Sequence, residues 1–569
     1  MKAHSKRVQK SVNRMGFRFT FRNIMEMKRS ICIIAIALCS GASLFAQGGM
    51  NAYDYSKTEL KGSARYMGMA GAFGALGGDI STLSQNPAGI GVYRSSEIAM
   101  TLGITGISAE TRTSVNVKNN LTKFAFDNVG IIGTFNTGKD LGLVSYNFGF
   151  AYNRRNSYDQ TYRVQYSNLR SSVTNYIADQ SWGIPEDDLG GYNVQSGDAY
   201  DIKGLPWLSI LGYESLLMSP RENPEGGYYS DSYEGLFGAG ASGSGSLYVR
   251  ERGRTNEYTF NFGGNVANVV YFGIGLGIMD LDYEMTSSHD ENLSGTSGFV
   301  PIKEEDGETY NYPITNSNFS LWNRLKTEGT GFNVKLGLIA RLTDYWRLGL
   351  SFHTPTYYSM SDYYMASVDN GYTYFVEKNN EILSRRDVTD TPEGRYDYDL
   401  VTPWKFTAST AFIIGKKGIV SFDYEYTAYD KMSLSETDGL EMNDVNDDIT
   451  SYFKAGHTFR VGGEYRITPQ LSARLGYANQ LSPLKINSGD QVSIAGMAPH
   501  YTLDRGTQYY TCGLGYRFGI FYADMAYVHK TAKSDVLAFS PIHDTGLTPE
   551  VATLRAKNNS FMMTFGLKF

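Results

Sequence analysis

Along most of the chain, apolar and polar residues alternate one by one. The C-terminus shows it most cleanly: Phe561, Met563, Phe565, Leu567 and Phe569 share one face, and Met562, Thr564, Gly566 and Lys568 fall between them. A period of two places alternate side chains on opposite faces of a strand. The same pattern runs through Trp404, Phe406, Ala408, Phe412 and Ile414. After Gly415-Lys416-Lys417-Gly418 it resumes through Val420, Phe422, Tyr424 and Tyr426. Two such runs joined by a short glycine turn predict a hairpin. Phe459, Val461 and Tyr465 lead through Thr468-Pro469-Gln470 to Leu471, Ala473, Leu475 and Tyr477 in the same way. Phe332–Leu342 with Trp346–Phe352, and Thr511–Tyr516 with Phe521–Tyr527, predict two more hairpins.

Counted along the chain, the pattern predicts strands near 96–112, 121–135, 141–156, 245–263, 267–286, 316–342 and 345–358. Seven more follow near 396–414, 418–430, 455–467, 470–484, 505–517, 521–535 and 558–569. The total is about fourteen, and the connections alternate in length. Those near 137–140, 264–266, 343–344, 415–417, 468–469 and 518–520 are turns. Those near 157–244, 287–315, 359–395, 431–454, 485–504 and 536–557 are long, and only 113–120 is short on that side. An even strand count, with turns at one end and long loops at the other, predicts an all-β fold, a transmembrane antiparallel β-barrel with both termini in the periplasm. A soluble sandwich has no reason to sort its loops by length.

The N-terminus changes the picture. Lys28 and Arg29 precede an apolar run, Ile31–Leu38, and small residues lead to Ala46. This is the pattern of a secretory signal peptide, so residues 1–46 are read as an extension plus leader, with Met1 or Met27 as the start. The apolar run is too short for a membrane helix, and Leu38 before Cys39 argues against a lipoprotein. Removing residues 1–46 takes nine basic residues and one acidic residue from totals of 52 and 58, leaving a net charge of −14. That balance argues against a nucleic-acid partner. Cys512 is then the lone cysteine, which leaves no disulfide framework or cysteine metal site within one chain. No later apolar run suits a membrane helix, so a membrane location requires a closed barrel. The 43 tyrosines, 30 phenylalanines and 62 glycines, at a mean hydropathy of −0.32, fit such strands.

Between leader and first strand lies a segment dominated by glycine and alanine, from Gly62 to Arg94. Glycine permits tight bends and small side chains permit close backbone approach. A barrel of about fourteen strands has a lumen near the size of an open channel. We therefore read 47–95 as a hatch that plugs a barrel spanning 96–569, with the Asn86-Pro87-Ala88-Gly89 turn as its gate. The inward phase places Asp423, Glu425, Arg460, Glu464, Arg466, Arg474, Arg517 and Asp524 in the lumen, to wet the wall or hold the hatch.

In the largest outer loop, 157–244, the run from Leu205 to Met218 is apolar and has helical spacing. An apolar segment there needs a cover or a ligand. Trp207, Leu208, Leu211, Tyr213 and Leu217 are accordingly candidate substrate-binding residues, with Met360, Tyr363, Tyr364 and Met365 around the same vestibule and Tyr357 and Tyr358 either joining them or, the favoured role, packing in the aromatic girdle. The histidines His289, His353, His457, His500, His529 and His543 are scattered without metal-ligand spacing, and no serine–histidine arrangement suggests catalysis. Gly273-Ile274-Gly275-Leu276-Gly277 mimics a dinucleotide fingerprint but sits in strand context. No catalytic residue, metal or cofactor is expected.

The segment Ser63–Tyr93 with its Asn86-Pro87-Ala88, together with Thr402-Pro403-Trp404 and Arg460-Val461-Gly462-Gly463-Glu464-Tyr465-Arg466, resembles the FadL/TodX family of outer-membrane transporters for hydrophobic compounds. The resemblance implies a fourteen-stranded barrel with an N-terminal hatch and passive uptake of fatty acids or aromatic hydrocarbons. It also implies sideways exit beside a kinked third strand, here Leu141–Asn156, with Gly142 and Gly149 able to ease a bend. Loop 157–244 departs from the family, so substrate contacts do not carry over. The expected partners are a hydrophobic small molecule, outer-membrane lipid and lipopolysaccharide, and the barrel-assembly machinery acting on the strand that ends at Phe569. The alternative is a surface platform whose outer loops bind haem or a protein.

Overall fold

The computed structural model describes residues 48–569, apart from 192, 194–196, 416, 495, 544 and 545. The leader expected over 1–46 lies outside the described residues. The barrel strands are β1 (Glu97–Arg112), β2 (Asn116–Asn136), β3 (Leu143–Ser157), β4 (Ser242–Val266), β5 (Val270–Ser294) and β6 (Thr309–Arg341). They continue with β7 (Trp346–His353, then Tyr357–Val376), β8 (Gly394–Val401, then Lys405–Ile414), β9 (Gly418–Thr427) and β10 (Gly456–Arg466). The last four are β11 (Leu471–Gln480), β12 (Tyr501–Phe518), β13 (Phe521–Leu537) and β14 (Ala552–Lys568). Each runs antiparallel to the next, and β14 returns to pair with β1 from Glu97–Lys568 to Arg112–Thr553, closing a fourteen-stranded barrel. The Phe569 amide donates to the Ser96 carbonyl at 3.0 Å, so strand start and chain end share the rim that carries the short turns.

Alternation is what builds the wall. Outward positions such as Ile104, Phe406, Phe412, Phe561 and Phe565 are exposed on the isolated chain and form an apolar belt, the surface that lipid would cover. Cross-strand aromatic pairs strengthen it, with Phe148–Phe262 and Phe150–Phe260 both at 5.0 Å between ring centres.

Above the belt the strands do not stop. The region expected to be a loop over 359–395 instead continues β7 and folds back as the strand Glu381–Asp390. Outside lipid the outward face need not be apolar, while inward Ala366, Val368 and Tyr372 pack into the outer core, so the alternation continues with its sense reversed. Loop 157–244 holds a strand, Gln160–Tyr166, and a hairpin, Met218–Glu222 with Tyr228–Gly235. Its helices include Val173–Gln180 and Trp207–Glu214.

The hatch fills the lower lumen. Its helix α1 (Gly49–Ser56) lies uppermost, followed by α2 (Ala64–Gly68), whose Ser63 hydroxyl caps the Tyr66 amide. Two 3₁₀ turns follow, Ile80–Ser84 and Pro87–Val92, capped by Asp79 and Asn86. The barrel meets this segment with glycines of its own. A Cβ on Gly349 would overlap the Gly74 carbonyl, one on Gly273 the Pro87 carbonyl, and one on Gly462 the Met69 carbonyl. Gly513 lies close to Gly68, where an added Cβ would come within 3.3 Å of the facing Cα. Backbone therefore packs directly on backbone around the lumen, which only glycine allows.

Candidate functional site

Polar bonds fix the hatch in this glycine ring. On β9, Asp423 accepts from the Gly74 amide and the Gln85 side-chain amide, both at 2.9 Å. On β10, Glu464 accepts from hatch Arg65 at 3.1 Å and from Arg474 on β11 at 2.6 Å, and Arg474 also pairs with Asp524 at 2.5 Å. Burial disfavours the Arg65 charge, but Glu464 outweighs it and holds the guanidinium firmly ionised. Glu425 and Arg460 pair with each other at 2.8 Å along the wall. Arg466 and Arg517 are exposed and line the periplasmic mouth with Arg65 and Lys568. Of the charges assigned to the lumen, then, Asp423 and Glu464 bond to the hatch, Glu425, Arg460 and Arg474 pair within the wall, and Arg466 and Arg517 sit at the rim.

The turn at Asn86, Pro87, Ala88 and Gly89 is buried. The Asn86 side-chain amide donates to the Gly74 carbonyl at 2.6 Å, and Asn86 Oδ1 accepts from the Ala88 backbone amide at 3.1 Å. His353 on β7 reaches the adjacent Gln85 carbonyl at 2.8 Å.

Above the hatch the lumen is not filled. An upper cavity is bounded by α1 residues Asn51, Asp54 and Tyr55, by Tyr283 on β5, Asn323 on β6 and Tyr364 on β7. A lower, more polar cavity lies on the other side of α1, lined by Tyr53, Lys57, Glu59, Asp159, Glu425 and Lys530. Asp54, Glu251 and Tyr283 border both, so α1 is the partition between them.

The lower cavity reaches the weakest stretch of the wall. The β2–β3 ladder runs from Asn136–Ser145 to Asn128–Asn153 and ends there. Higher up, β2 pairs only with β1, and β3 and its continuation Gln160–Tyr166 pair only with β4. A bulge falls on β2 at Asp127, and the β3 register with β4 shifts between Arg154 and Asn156. The irregularity of β3 at this opening is at Arg154–Asn156; a second register shift, between Leu143 and Ser145, falls beside Gly142, and none falls at Gly149. Gly142 belongs to the periplasmic turn, and Gly149 stays in register opposite Ile132, where its missing side chain admits hatch Ile90 and Leu83. Lys123 and Asp159 bridge the opening at 3.1 Å, and Ala125, Arg154 and Ser157 line it. Above it, Thr113 donates to the Gln165 carbonyl at 2.6 Å, so the window has an upper sill.

From inside, the hatch covers this window. The Glu59 amide donates to the Arg155 carbonyl at 3.0 Å, a group that β2 would bond in a complete wall. The Glu59 carboxylate is bound by Lys530 on β13 and lies 3.7 Å from Lys61. Burial pushes that carboxyl up, but the two lysines outweigh it and hold it at about 2.

The candidate substrate residues lie higher. Leu208, Leu211 and Leu217 are buried in an extracellular core built by loop 157–244 and the strand tops, and Trp207 and Tyr213 pack half-buried against it. None of the five lines the upper cavity. Trp207 touches Tyr364, which lines it, edge to face at 5.1 Å. Of the vestibule residues, Tyr364 lines that cavity, whereas Tyr357 faces outward against Phe332. Sequence reasoning missed Glu59, Lys123, Asp159 and Asn323. Each is a polar residue at a position where a lumen-facing strand or hatch normally carries one, and nothing local marks it.

A family profile described as "Outer membrane protein transport protein (OMPP1/FadL/TodX)" matches residues 249–564. The crystal structure of a Pseudomonas aeruginosa FadL homologue superposes with a TM-score of 0.50 at 12% identity, over 90% of this chain and 99% of that one. The P. putida toluene transporter TodX gives 0.43 at 11% identity, over 90% and 99%. The Ralstonia pickettii toluene transporter TbuX gives 0.42 at 12%, over 90% and 99%. No curated protein sequence matches the chain.

Proposed function

Because the chain belongs to the outer-membrane transport protein family that includes FadL and TodX, we propose that it admits a hydrophobic small molecule passively and releases it sideways into the membrane. The observation that carries this reading is the interrupted β2–β3 ladder with a cavity behind it. Lipid offers no water to satisfy the unpaired strand edge, so an opening at that depth is costly unless it serves a path.

In this reading the outer cap collects ligand. Trp207, Leu208, Leu211, Tyr213 and Leu217 form its apolar roof, and Trp207 sets the Tyr364 ring that borders the upper cavity. Rearrangement of the hatch is the gate. α1 must shift for ligand to pass from the upper to the lower cavity, and Glu59 must leave the Arg155 carbonyl for ligand to reach the window. Asn86, Pro87, Ala88 and Gly89 hold the hatch below against the wall and limit how far it moves, which keeps the axial route to the periplasm shut. No step in this route makes or breaks a covalent bond. Insertion would present the β14 strand and Phe569 to the barrel-assembly machinery, in contact with lipid and lipopolysaccharide.

A bulky side chain in the window tests the route. Ala125→Trp should abolish uptake of labelled long-chain fatty acid and of toluene by cells that lack other hydrophobic-compound channels, with heat-modifiable migration of the barrel unchanged. Uptake at the unmodified rate in a folded Ala125→Trp barrel would overturn lateral release.

A further inference from the structure

Asn323 sits on β6 between Leu321 and Leu325. Its side chain is 1% exposed, and neither its Oδ1 nor its Nδ2 has a hydrogen-bond partner among the described residues. A buried amide with both ends unpaired is costly and rare in folded proteins. Asn323 lines the upper cavity, whose walls also carry Tyr55, Tyr283, Tyr364, Met285 and Met497. Aromatic and methionine walls with one or two converging polar groups suit an apolar body with a polar end.

The charges around the cavity decide what that end can be. Arg324 is the cation among the described lining residues, and Glu284 engages it at 3.0 Å. Burial, with His289 adding to it, brings His500 down to about 4, so its ring is neutral near pH 7. Two carboxyl groups face the same space: Glu251, which accepts from the Tyr283 hydroxyl at 2.9 Å, and Asp54, which lies 3.5 Å from Lys57. An anionic head would meet two acids and no free cation.

We infer that the upper cavity takes an amphipathic small molecule with an uncharged head that both donates and accepts hydrogen bonds, the class of primary amides and alcohols, and that Asn323 reads that head. A primary amide fits both ends at once, its N–H donating to Asn323 Oδ1 and its carbonyl accepting from Nδ2–H. An ether satisfies only Nδ2, and a hydrocarbon satisfies neither, so each leaves a buried polar atom unpaired. The inference rests on the reading of this cavity as the capture site.

The test is calorimetric titration at pH 7.5 of the mature chain in lipid nanodiscs, with empty nanodiscs as the reference, using octanamide, octanoate and 1-methoxyheptane. Octanamide should bind about tenfold more tightly than either of the others, the effect of one or two neutral hydrogen bonds gained in a buried site. Asn323→Leu, similar in size and without polar atoms, should bring octanamide within about twofold of the ether, because neither head group then has an amide to read it. If octanoate binds as tightly as octanamide, or the three are indistinguishable, the head-group inference is wrong and the capture site stands. If none binds above the empty nanodisc, the capture reading itself fails. The comparison within the unmodified protein decides the matter even if Asn323→Leu does not fold.

Discussion

The seam between β1 and β14 is hydrogen-bonded from Glu97–Lys568 to Arg112–Thr553, whereas the seam between β2 and β3 ends at Asn128–Asn153, midway up the wall. Both belong to one sheet and see the same lipid. At the first, side chains add to a ladder that is already complete: the Thr101 and Thr564 hydroxyls meet at 2.7 Å, and those of Thr105 and Ser560 at 2.8 Å. At the second, side chains and hatch substitute for a ladder that is missing, through the Lys123–Asp159 pair and the Glu59 amide on Arg155. A ladder opens only by unzipping, but an ion pair and a single backbone bond can separate independently. On the proposed route, the first seam is the one that holds the barrel shut and the second is the one that opens.

The sharpest way to break this comparison is to lock each seam in turn. In a Cys512→Ser background, an oxidised disulfide between Ala125→Cys and Ser157→Cys should cut uptake by more than about tenfold, with recovery on reduction, because it ties the window shut. The same bridge between Thr105→Cys and Ser560→Cys should leave uptake unchanged. Equal losses at both seams would make the window irrelevant.

Loosening the hatch far from either seam comes next. Asp423→Ala removes a charged acceptor that serves two hatch donors, which should cost about 3 kcal/mol of hatch docking. Faster hydrogen exchange over residues 71–86 with an intact barrel would report it. Protection equal to that of the parent protein would mean the glycine packing alone holds the hatch.

The window cover is titratable, and its sign is fixed. Glu59 is held at about 2, below the usual 4.5 for a glutamate. Its contribution is therefore complete above about pH 4.5 and is lost as pH falls through 2, up to about 3 kcal/mol in all. Exchange of the Glu59 amide, corrected for intrinsic rate, should rise between pH 4.5 and 2, and Glu59→Gln should show the fast rate without that dependence. A flat profile in the parent protein would remove Glu59 as the latch.

The smallest effect belongs to Lys123→Ala. The pair with Asp159 is partly exposed, so its loss should change stability by about 0.5 kcal/mol and uptake by less than about threefold. A larger loss would move the weight of the seam from the hatch to this bridge.

Much of the barrel was legible because lipid enforces alternation: Phe561, Met563 and Phe565 reveal their strand without help from the rest of the chain. The hatch was legible for a different reason, since runs such as Gly74-Ala75-Leu76-Gly77-Gly78 suit a segment that must fit among other backbones. The upper strand extensions were not legible. There Ser359 and Asp369 face outward while Val368 and Tyr372 face the outer core, so the apolar phase is the reverse of the lipid-facing one and does not read as a membrane strand. The window was hidden because it is a missing pairing between Phe126 and Arg155, a property of two strands that neither sequence carries alone. Asn323 was hidden as well, since an asparagine between inward leucines looks like any lumenal polar residue until its lack of partners is seen.

The glycine ring bears on the order in which the molecule is made. Met69 meets Gly462, Gly74 meets Gly349 and Pro87 meets Gly273 around the lumen, with no room for a wall side chain at these contacts. A finished cylinder would offer no clearance for a folded hatch to slide into. The hatch must therefore enter before β1 meets β14, or enter unfolded. Since it directly precedes β1, the emerging barrel can wrap around it as a mandrel, and the last seam to zip is the unbroken ladder from Glu97–Lys568 to Arg112–Thr553.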